Sequence, residues 1–271
     1  MSYVIEPLSK SELLDFFDDV SKDVIKYFMI KALFSQPESL PGQKNLPVQV
    51  PKEHIEQWFT QALDVKPVGS GSYPIDIYNE KNQWGADIKM LSVHVDNNGN
   101  ITGAESGEAS LGQNFRDAGI DLDQLFDSKS FEIIKDRWVN LYKEKFDSVK
   151  STYDVKYFYY FFILRTENNF YLVGAKINLD QIDTVKVNRN TKSSVYLSNF
   201  IADDLGNTKI YKAKKRLELR LRPKNWVDKG LAIKFTSNFN SINDNLRESI
   251  AEKDFIEKRF DQFKDLEINI E

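Results

Sequence analysis

Two short runs hold the residues with the most chemical promise: Tyr73-Pro74-Ile75-Asp76-Ile77 and Trp84-Gly85-Ala86-Asp87-Ile88-Lys89-Met90-Leu91. Strand-like stretches over Tyr73–Tyr78 and Trp84–Val95 contain them, and the polar turn Asn79-Glu80-Lys81-Asn82-Gln83 joins the two, which predicts a hairpin. Strand side chains alternate between faces, so Asp87 and Lys89 project to one side. Asp76 on the partner strand can sit opposite them. Two carboxylates and an ammonium then converge. Hard divalent ions such as Mg²⁺ take carboxylate oxygens and keep water and phosphate oxygens in their other positions. A lysine beside them suits charge developing on a phosphate, or an attacking water that must be positioned. The chemistry this trio fits is metal-assisted phosphodiester hydrolysis.

The tripeptide alone carries little weight. Asp-x-Lys occurs at Asp64–Lys66, Asp87–Lys89, Asp127–Lys129 and Asp154–Lys156. Context separates them. Asp87 lies in an apolar strand preceded, 11 residues earlier, by a strand aspartate that follows a proline. Asp64 ends a helix, Asp127 lies between two, and Asp154 follows a long helical run without Pro or Gly. The bland alternative for Asp76, Asp87 and Lys89 is a solvated hairpin face with a cross-strand ion pair. The chain has no cysteine and two histidines, His54 and His94, neither with a His or Cys partner at ligand spacing. Thiolate zinc sites, cysteine nucleophiles and disulfides are excluded, and any metal must be held mainly by oxygen.

The elements around the hairpin can be read from spacing. Ser9-Lys10-Ser11-Glu12 is a capping box, predicting a long helix that ends near Phe34. Pro37, Pro41, Gly42, Pro47 and Pro51 mark a loop over residues 35–51. A second helix begins at Pro51, with an apolar stripe at Ile55, Trp58, Phe59, Ala62 and Leu63. Gly69-Ser70-Gly71-Ser72 breaks the chain before the hairpin, and residues 103–119 read as loop. Helix is expected from Leu122 to Val149. Val155–Leu164 and Phe170–Leu179 flank Thr166-Glu167-Asn168-Asn169 as a second hairpin. Its aromatic run Tyr157–Phe162 points to both faces, so it reads as buried sheet rather than as a base-stacking platform. Mixed strands and loops fill 185–235, and an amphipathic helix is expected from Asn243 to about Leu266.

Composition sets the outer limits. The 271 residues are 41% hydrophobic and 29% charged, the balance of a folded chain with a sizeable core. No apolar run is long enough to span a bilayer and no targeting signal is visible at Met1–Glu6, which predicts a cytoplasmic location. The net charge of −4 argues at first against a nucleic-acid partner. It is an average over unlike parts. Lys209 to Lys224 holds Lys209, Lys212, Lys214, Lys215, Arg216, Arg220, Arg222 and Lys224 against Glu218 alone, a local +7, leaving −11 for the rest. Within it, Arg216-Leu217-Glu218-Leu219-Arg220-Leu221-Arg222 alternates, with leucines on one face and mostly arginines on the other. An arginine face on a strand suits phosphate contacts. The bland alternative is a solvated sheet face, or ion pairing with the acidic C-terminal helix.

Pro74 with Asp76, and Asp87-Ile88-Lys89 after the turn, resemble the PD-(D/E)xK nuclease family, which includes many type II restriction endonucleases, Holliday junction resolvases and repair nucleases. The resemblance covers about 20 residues directly and about 40 with the preceding helix. One residue is inserted between the proline and the aspartate. It implies an α/β (α+β) chain with a restriction-endonuclease-like mixed β-sheet core flanked by helices, folded as one compact domain over residues 1–271. Catalysis would lie within 50–95, and recognition and dimerisation within 150–271. It implies a metal held by Asp76, Asp87 and the backbone carbonyl of Ile88, with Mg²⁺ as cofactor and Mn²⁺ able to substitute. Such nucleases often add a glutamate from the helix before the hairpin. On a helical wheel Glu56 lies at the edge of the apolar stripe and Glu53 on its far side, so Glu56 is the candidate. Lys212, Lys214, Lys215, Arg216, Arg220, Arg222 and Lys224 are the candidate DNA contacts. The implied activity is a Mg²⁺-dependent, sequence-specific cut in double-stranded DNA by a homodimer in a prokaryotic host, leaving 5′-phosphate and 3′-hydroxyl ends. A structure-specific nuclease of the resolvase or repair type is the first alternative. A non-catalytic nucleic-acid-binding or scaffold protein is the second.

Overall fold

The computed structural model describes residues 2–43, 46–68, 73–112, 115, 118–240, 242–261 and 263–271. In chain order its elements are β1 (Ile5–Pro7), α1 (Lys10–Phe16), α2 (Asp19–Phe34), α3 (Lys52–Ala62), β2 (Lys66–Pro67), β3 (Ile77–Asn79), β4 (Trp84–Ser92) and β5 (Ala109–Gly112). Then follow α4 (Leu122–Asp127), α5 (Phe131–Tyr153), β6 (Tyr157–Arg165), β7 (Asn169–Ile177), a 3₁₀ turn (Leu179–Thr184), β8 (Lys186–Asn190), β9 (Ser194–Ser198), β10 (Gly206–Tyr211) and β11 (Arg216–Leu221). The chain closes with α6 (Pro223–Asp228), β12 (Ala232–Ser237), α7 (Leu246–Ser249), α8 (Phe255–Asp261) and β13 (Ile268–Ile270).

The large mixed sheet has the order β13-β12-β7-β6-β4-β3-β2, with β1 also paired to β7. Its pairs are antiparallel except β4 with β6, which run parallel over Trp84–Ser92 and Tyr157–Arg165. A parallel pair cannot be closed by a tight turn. The connection here is long, and α5 is its main element. A second sheet, β5-β11-β10-β9-β8, is antiparallel throughout.

Both faces of the large sheet are buried. On one side Ile88, Phe161, Leu172 and Phe235 pack with Leu13, Phe17, Ile25, Met29, Trp58 and Phe59 of α1–α3. Phe17 meets Phe161 edge-on at 5.2 Å between ring centroids. On the other side Phe158, Tyr160 and Phe162 share a core with Ile134, Trp138, Tyr142 and Phe146 of α5. The same core takes in Val195, Ile210, Leu217, Leu219 and Leu221 of the small sheet. A mixed sheet flanked by helices is therefore what the sequence implied at the level of class. The aromatic run is buried as expected at Phe158 and Tyr160–Phe162, although Tyr157 at the strand start is half exposed.

Several element boundaries differ from the spacing-based reading, each for a local reason. The capping box at Ser9 and Glu12 forms. The helix it starts stops at Phe16, because Asp18 starts a new one by accepting the Ser21 N–H at 2.8 Å. The helix expected over 122–149 divides at Lys129, which adopts a left-handed φ of 56°, and its second half runs on to Tyr153. Residues 103–119 contain β5. The C-terminal helix is replaced by α7 and α8, separated by Asp254 at φ 61°. Leu246, Ile250 and Phe260 there are exposed, so their helical spacing does not mark a buried stripe. The Gly69–Ser72 break lies outside the described residues.

Close packing of the small sheet yields a stability test. A Cβ on Gly206 would stand 2.6 Å from the Arg220 carbonyl oxygen across the β10–β11 pair, against backbone that cannot step aside. Gly206→Ala is expected to lower unfolding free energy by about 1–3 kcal/mol in urea titration, with unchanged stability contradicting this packing.

Candidate active site

Asp76 is fixed by the way β3 leaves β4. Their ladder ends at Ile77 opposite Ala86. One residue earlier the Asp76 N–H still donates to the Ala86 carbonyl at 2.8 Å, while the Asp76 carbonyl accepts from Val68 N–H, also at 2.8 Å. The Ile88 N–H would otherwise have no ladder partner there. It donates instead to Asp76 Oδ2 at 2.8 Å. The aspartate side chain thus takes the place of a missing strand. In an antiparallel ladder a residue's N–H and C=O face the same neighbour, so the Ile88 carbonyl opens toward Asp76 as well.

Asp87 and Lys89 lie on the other register of β4, opposite Tyr160 and Phe162 of β6. Asp87 is 7% exposed. The Lys89 Nζ is bonded to Asp87 Oδ1 and stands 3.8 Å from Asp76 Oδ2 and 3.4 Å from the Ile88 carbonyl oxygen. The ammonium therefore sits among the three oxygen donors that the sequence suggested for a cation. Of the four Asp-x-Lys tripeptides, Asp87–Lys89 alone lies within a described strand. Asp64 and Asp154 are left-handed residues past helix ends, and Asp127 closes α4.

The two carboxyls behave differently. Burial works against charge on Asp76, but Lys89, Asp87 and the Ile88 N–H favour its ionised form and hold it below the usual carboxylate range. Burial pushes Asp87 well above that range despite the attraction of Lys89, and neighbouring Asp76 adds to the rise. The proton of the pair belongs to Asp87, hydrogen-bonded toward Asp76. Behind Asp87 lie two buried phenols, Tyr142 and Tyr160, with hydroxyls 3.0 Å apart. Burial raises both well above a free tyrosine, so both stay neutral.

Glu56 reaches this cluster through a residue the sequence reading missed. Lys52, in the first turn of α3, stands 3.1 Å from Glu56 Oε1 and 3.8 Å from Asp76 Oδ1. Asp76 and Glu56 hold it above its ordinary value although burial works the other way. Its i,i+4 spacing to Glu56 was the available signal, but that spacing does not reveal the third partner. His54 and His94 are both exposed. Among the described residues no three His, Cys, Asp or Glu side chains form a ready cage. The donor set that is gathered comprises two carboxylates and one backbone carbonyl around a cation. It fits a hard divalent ion that keeps most of its own water.

The basic candidates fall elsewhere, on and around the β10–β11 hairpin of the small sheet. The leucine face is buried as the alternation requires. The charged face is largely ion-paired, though not with the C-terminal segment. Lys214 bonds Glu108 and lies 3.1 Å from Glu218. Arg216 lies 3.0 Å from Glu218 and 3.4 Å from Glu108, and Arg220 bonds Glu108. Lys212 pairs with Asp127 at 2.6 Å, Lys215 with Asp123, and Lys224 with Asp228 at 2.6 Å. Arg222 is exposed at the start of α6. Glu108, on the segment read as loop, is the residue that most alters this surface.

Comparison with family models, curated proteins and solved structures finds no match to this chain.

The carboxylate pair makes stability depend on pH in a defined direction. Asp87, with its raised folded value, costs nothing below the ordinary carboxylate range. It opposes folding increasingly as pH rises above that range. Asp76, with its lowered value, stabilises above that range and loses the effect as pH falls through its folded value. Asp87→Asn leaves one carboxylate to one ammonium. In cation-free buffer it is expected to raise Tm near pH 8 by a few degrees, with the gain shrinking toward pH 4. A Tm difference independent of pH would show that the raised carboxyl is not the cause.

Proposed function

We propose that this chain is a metal-dependent DNA endonuclease of the PD-(D/E)xK type and, more narrowly, a Mg²⁺-dependent type II restriction enzyme acting on double-stranded DNA. The observation that carries the reading is the convergence of Asp76, Asp87, Lys89 and the Ile88 carbonyl, drawn from a hairpin whose second strand is held in a buried mixed sheet. The restriction-endonuclease-like form of the fold belongs to the same proposal.

In this reading Asp76, Asp87 and the Ile88 carbonyl hold the cation, and Glu56 joins them only through Lys52. When bound, a divalent cation supplies positive charge at the phosphoryl oxygens. The chain's own residues do the rest. Loss of the Asp87 proton to solvent would give the pair a full double negative charge with which to hold the cation. Lys89, were the cation to take its place among those oxygens, would meet a non-bridging phosphate oxygen or orient the water that attacks in line with the leaving 3′ oxygen. Hydrolysis breaks the P–O3′ bond and leaves 5′-phosphate and 3′-hydroxyl ends. Asp76, anchored by the Ile88 N–H, keeps its position throughout.

Incubation with plasmid and Mg²⁺, with and without EDTA, tests this. Discrete metal-dependent fragments are expected, with activity reduced at least about 10²–10⁴-fold in Lys89→Ala and lost in Asp87→Ala. Cleavage confined to branched DNA would replace the restriction reading with a resolvase-like one. Equal inertness of wild type and Asp87→Ala on many DNAs would remove the catalytic reading. Ligand linkage gives a second readout. Near 100 times the dissociation constant, Mg²⁺ is expected to add about 2.7 kcal/mol of stability in wild type and far less in Asp76→Ala.

The proposal includes a homodimer, since a two-fold enzyme matches a two-fold site. The exposed apolar side chains of Leu246, Ile250, Ile256 and Phe260 favour a self-association surface on α7–α8. Sedimentation is expected to give a two-chain species in wild type and a one-chain species in Ile250→Glu/Phe260→Glu. A wild-type monomer at all concentrations would overturn this part.

A further inference from the structure

The outer face of the small sheet carries an array that the cleavage chemistry does not use. Its inner face is apolar, with Val195, Leu197, Ile210, Leu217 and Leu219 in the core. Alternation therefore turns Tyr196, Lys209 and Tyr211 outward. Strand register aligns one row across the sheet: Arg189 opposite Tyr196, Tyr196 opposite Lys209, and Lys209 opposite Glu218. Tyr211 follows Lys209 by two residues, which makes it a diagonal neighbour of Tyr196, about 7–8 Å away along the face. The Arg189 guanidinium lies 4.0 Å from the Tyr196 ring centroid, and Lys209 Nζ lies 4.7 Å from that of Tyr211.

Charge is not spread evenly on this face. Toward β5 and β11, Glu108 and Glu218 are shared among Lys209, Lys214, Arg216 and Arg220, so every cation there already faces a carboxylate. A phosphate there would meet carboxylates. Toward β8 and β9, Lys186 and Arg189 are exposed, and neither is in an ion pair among the described residues. The unpaired positive charge thus lies beside half-buried Tyr196, while half-buried Tyr211, opposite Arg216 and with Lys214 5.5 Å from its ring centroid, stands where this part meets the ion-paired one. A standard duplex groove admits a helix or a two-stranded ribbon more readily than a broad sheet face. It can receive unpaired bases on aromatic rings while cations follow the backbone, which is how sheet surfaces take single strands.

We propose that the β8–β9–β10 face binds single-stranded nucleic acid, with Tyr196 and Tyr211 stacking on bases and Lys186 and Arg189 meeting phosphates. The proposal goes beyond the nuclease reading and does not depend on it. Binding itself needs neither Asp87 nor a metal ion.

Fluorescence anisotropy in EDTA, with a labelled oligothymidylate of about 20 nucleotides, tests it on the full chain. Wild type and Asp87→Ala are both expected to bind it at least about tenfold more tightly than a duplex of that length or an abasic strand with the same phosphates. Tyr196→Ala and Tyr211→Ala should each lose about 5- to 100-fold, while Tyr196→Phe, which keeps a ring, retains affinity. Arg189→Ala should flatten the salt dependence by about 0.7 in log–log slope. Equal affinity for abasic and base-containing strands would overturn the proposal, as would tyrosine variants that bind like wild type. So would polyglutamate competing as well as oligothymidylate, which would point to an acidic protein partner. Cleavage with tyrosine-independent binding removes this proposal alone; tyrosine-dependent binding without cleavage removes the nuclease reading alone.

Discussion

The parallel pairing of β4 with β6 is the constraint around which the rest of the chain is arranged. It pairs nine residues of β4 with β6, six of them buried, and obliges the chain to travel a long way before β6 can be added. That excursion contains α5, whose Trp138, Tyr142 and Phe146 cover the sheet face that Asp87 shares. Asp87 is consequently enclosed by apolar and phenolic groups rather than by water. Its raised proton affinity follows mainly from that enclosure, with neighbouring Asp76 adding to it. The small sheet is also reached through α5, since its leucine face closes over the same core.

On the opposite edge of β4 the constraint is relaxed. β3 pairs for three residues and leaves, and Asp76 closes the gap with its side chain. One strand therefore presents a fully paired side to β6 and an open side to solvent. The oxygen donors collect at the boundary between the two. Lys52 and Glu56 reach that boundary from α3, whose own apolar stripe fixes its height over the sheet.

Much of this arrangement was legible in the residues. Period-two alternation placed Asp87 and Lys89 on one side, and the Asn79–Gln83 turn placed Asp76 across from them. The stripe at Ile55, Trp58, Phe59 and Ala62 correctly oriented α3. What escaped depends on partners distant in sequence. Nothing local marks Lys52 as a neighbour of Asp76, since that contact needs α3 and β3 to pack first. Glu108 lies more than 100 residues from Arg216 and Arg220, so ion pairing on the basic strand was invisible until β5 took its place beside β11. Helix breaks at Asp18 and Lys129 escaped for the opposite reason. There, one capping side chain or one left-handed residue outweighs an apolar period that continues past it. The C-terminal segment has the period of a helix but touches the core only in part, through Phe260 and Phe263 on Phe34.

The lodging of Lys89 among the Asp76, Asp87 and Ile88 oxygens has a further consequence. The cluster never stands without a counter-charge, because the chain supplies a tethered one. Were the proposed cation to bind there, its entry would be an exchange rather than a filling, in which the resident ammonium is displaced. Such an ion would have to outcompete a covalently attached cation of fixed local concentration. Monovalent ions, with the same charge as the lysine and no tether, have little means of doing so. Selection for doubly charged ions would then follow from this competition.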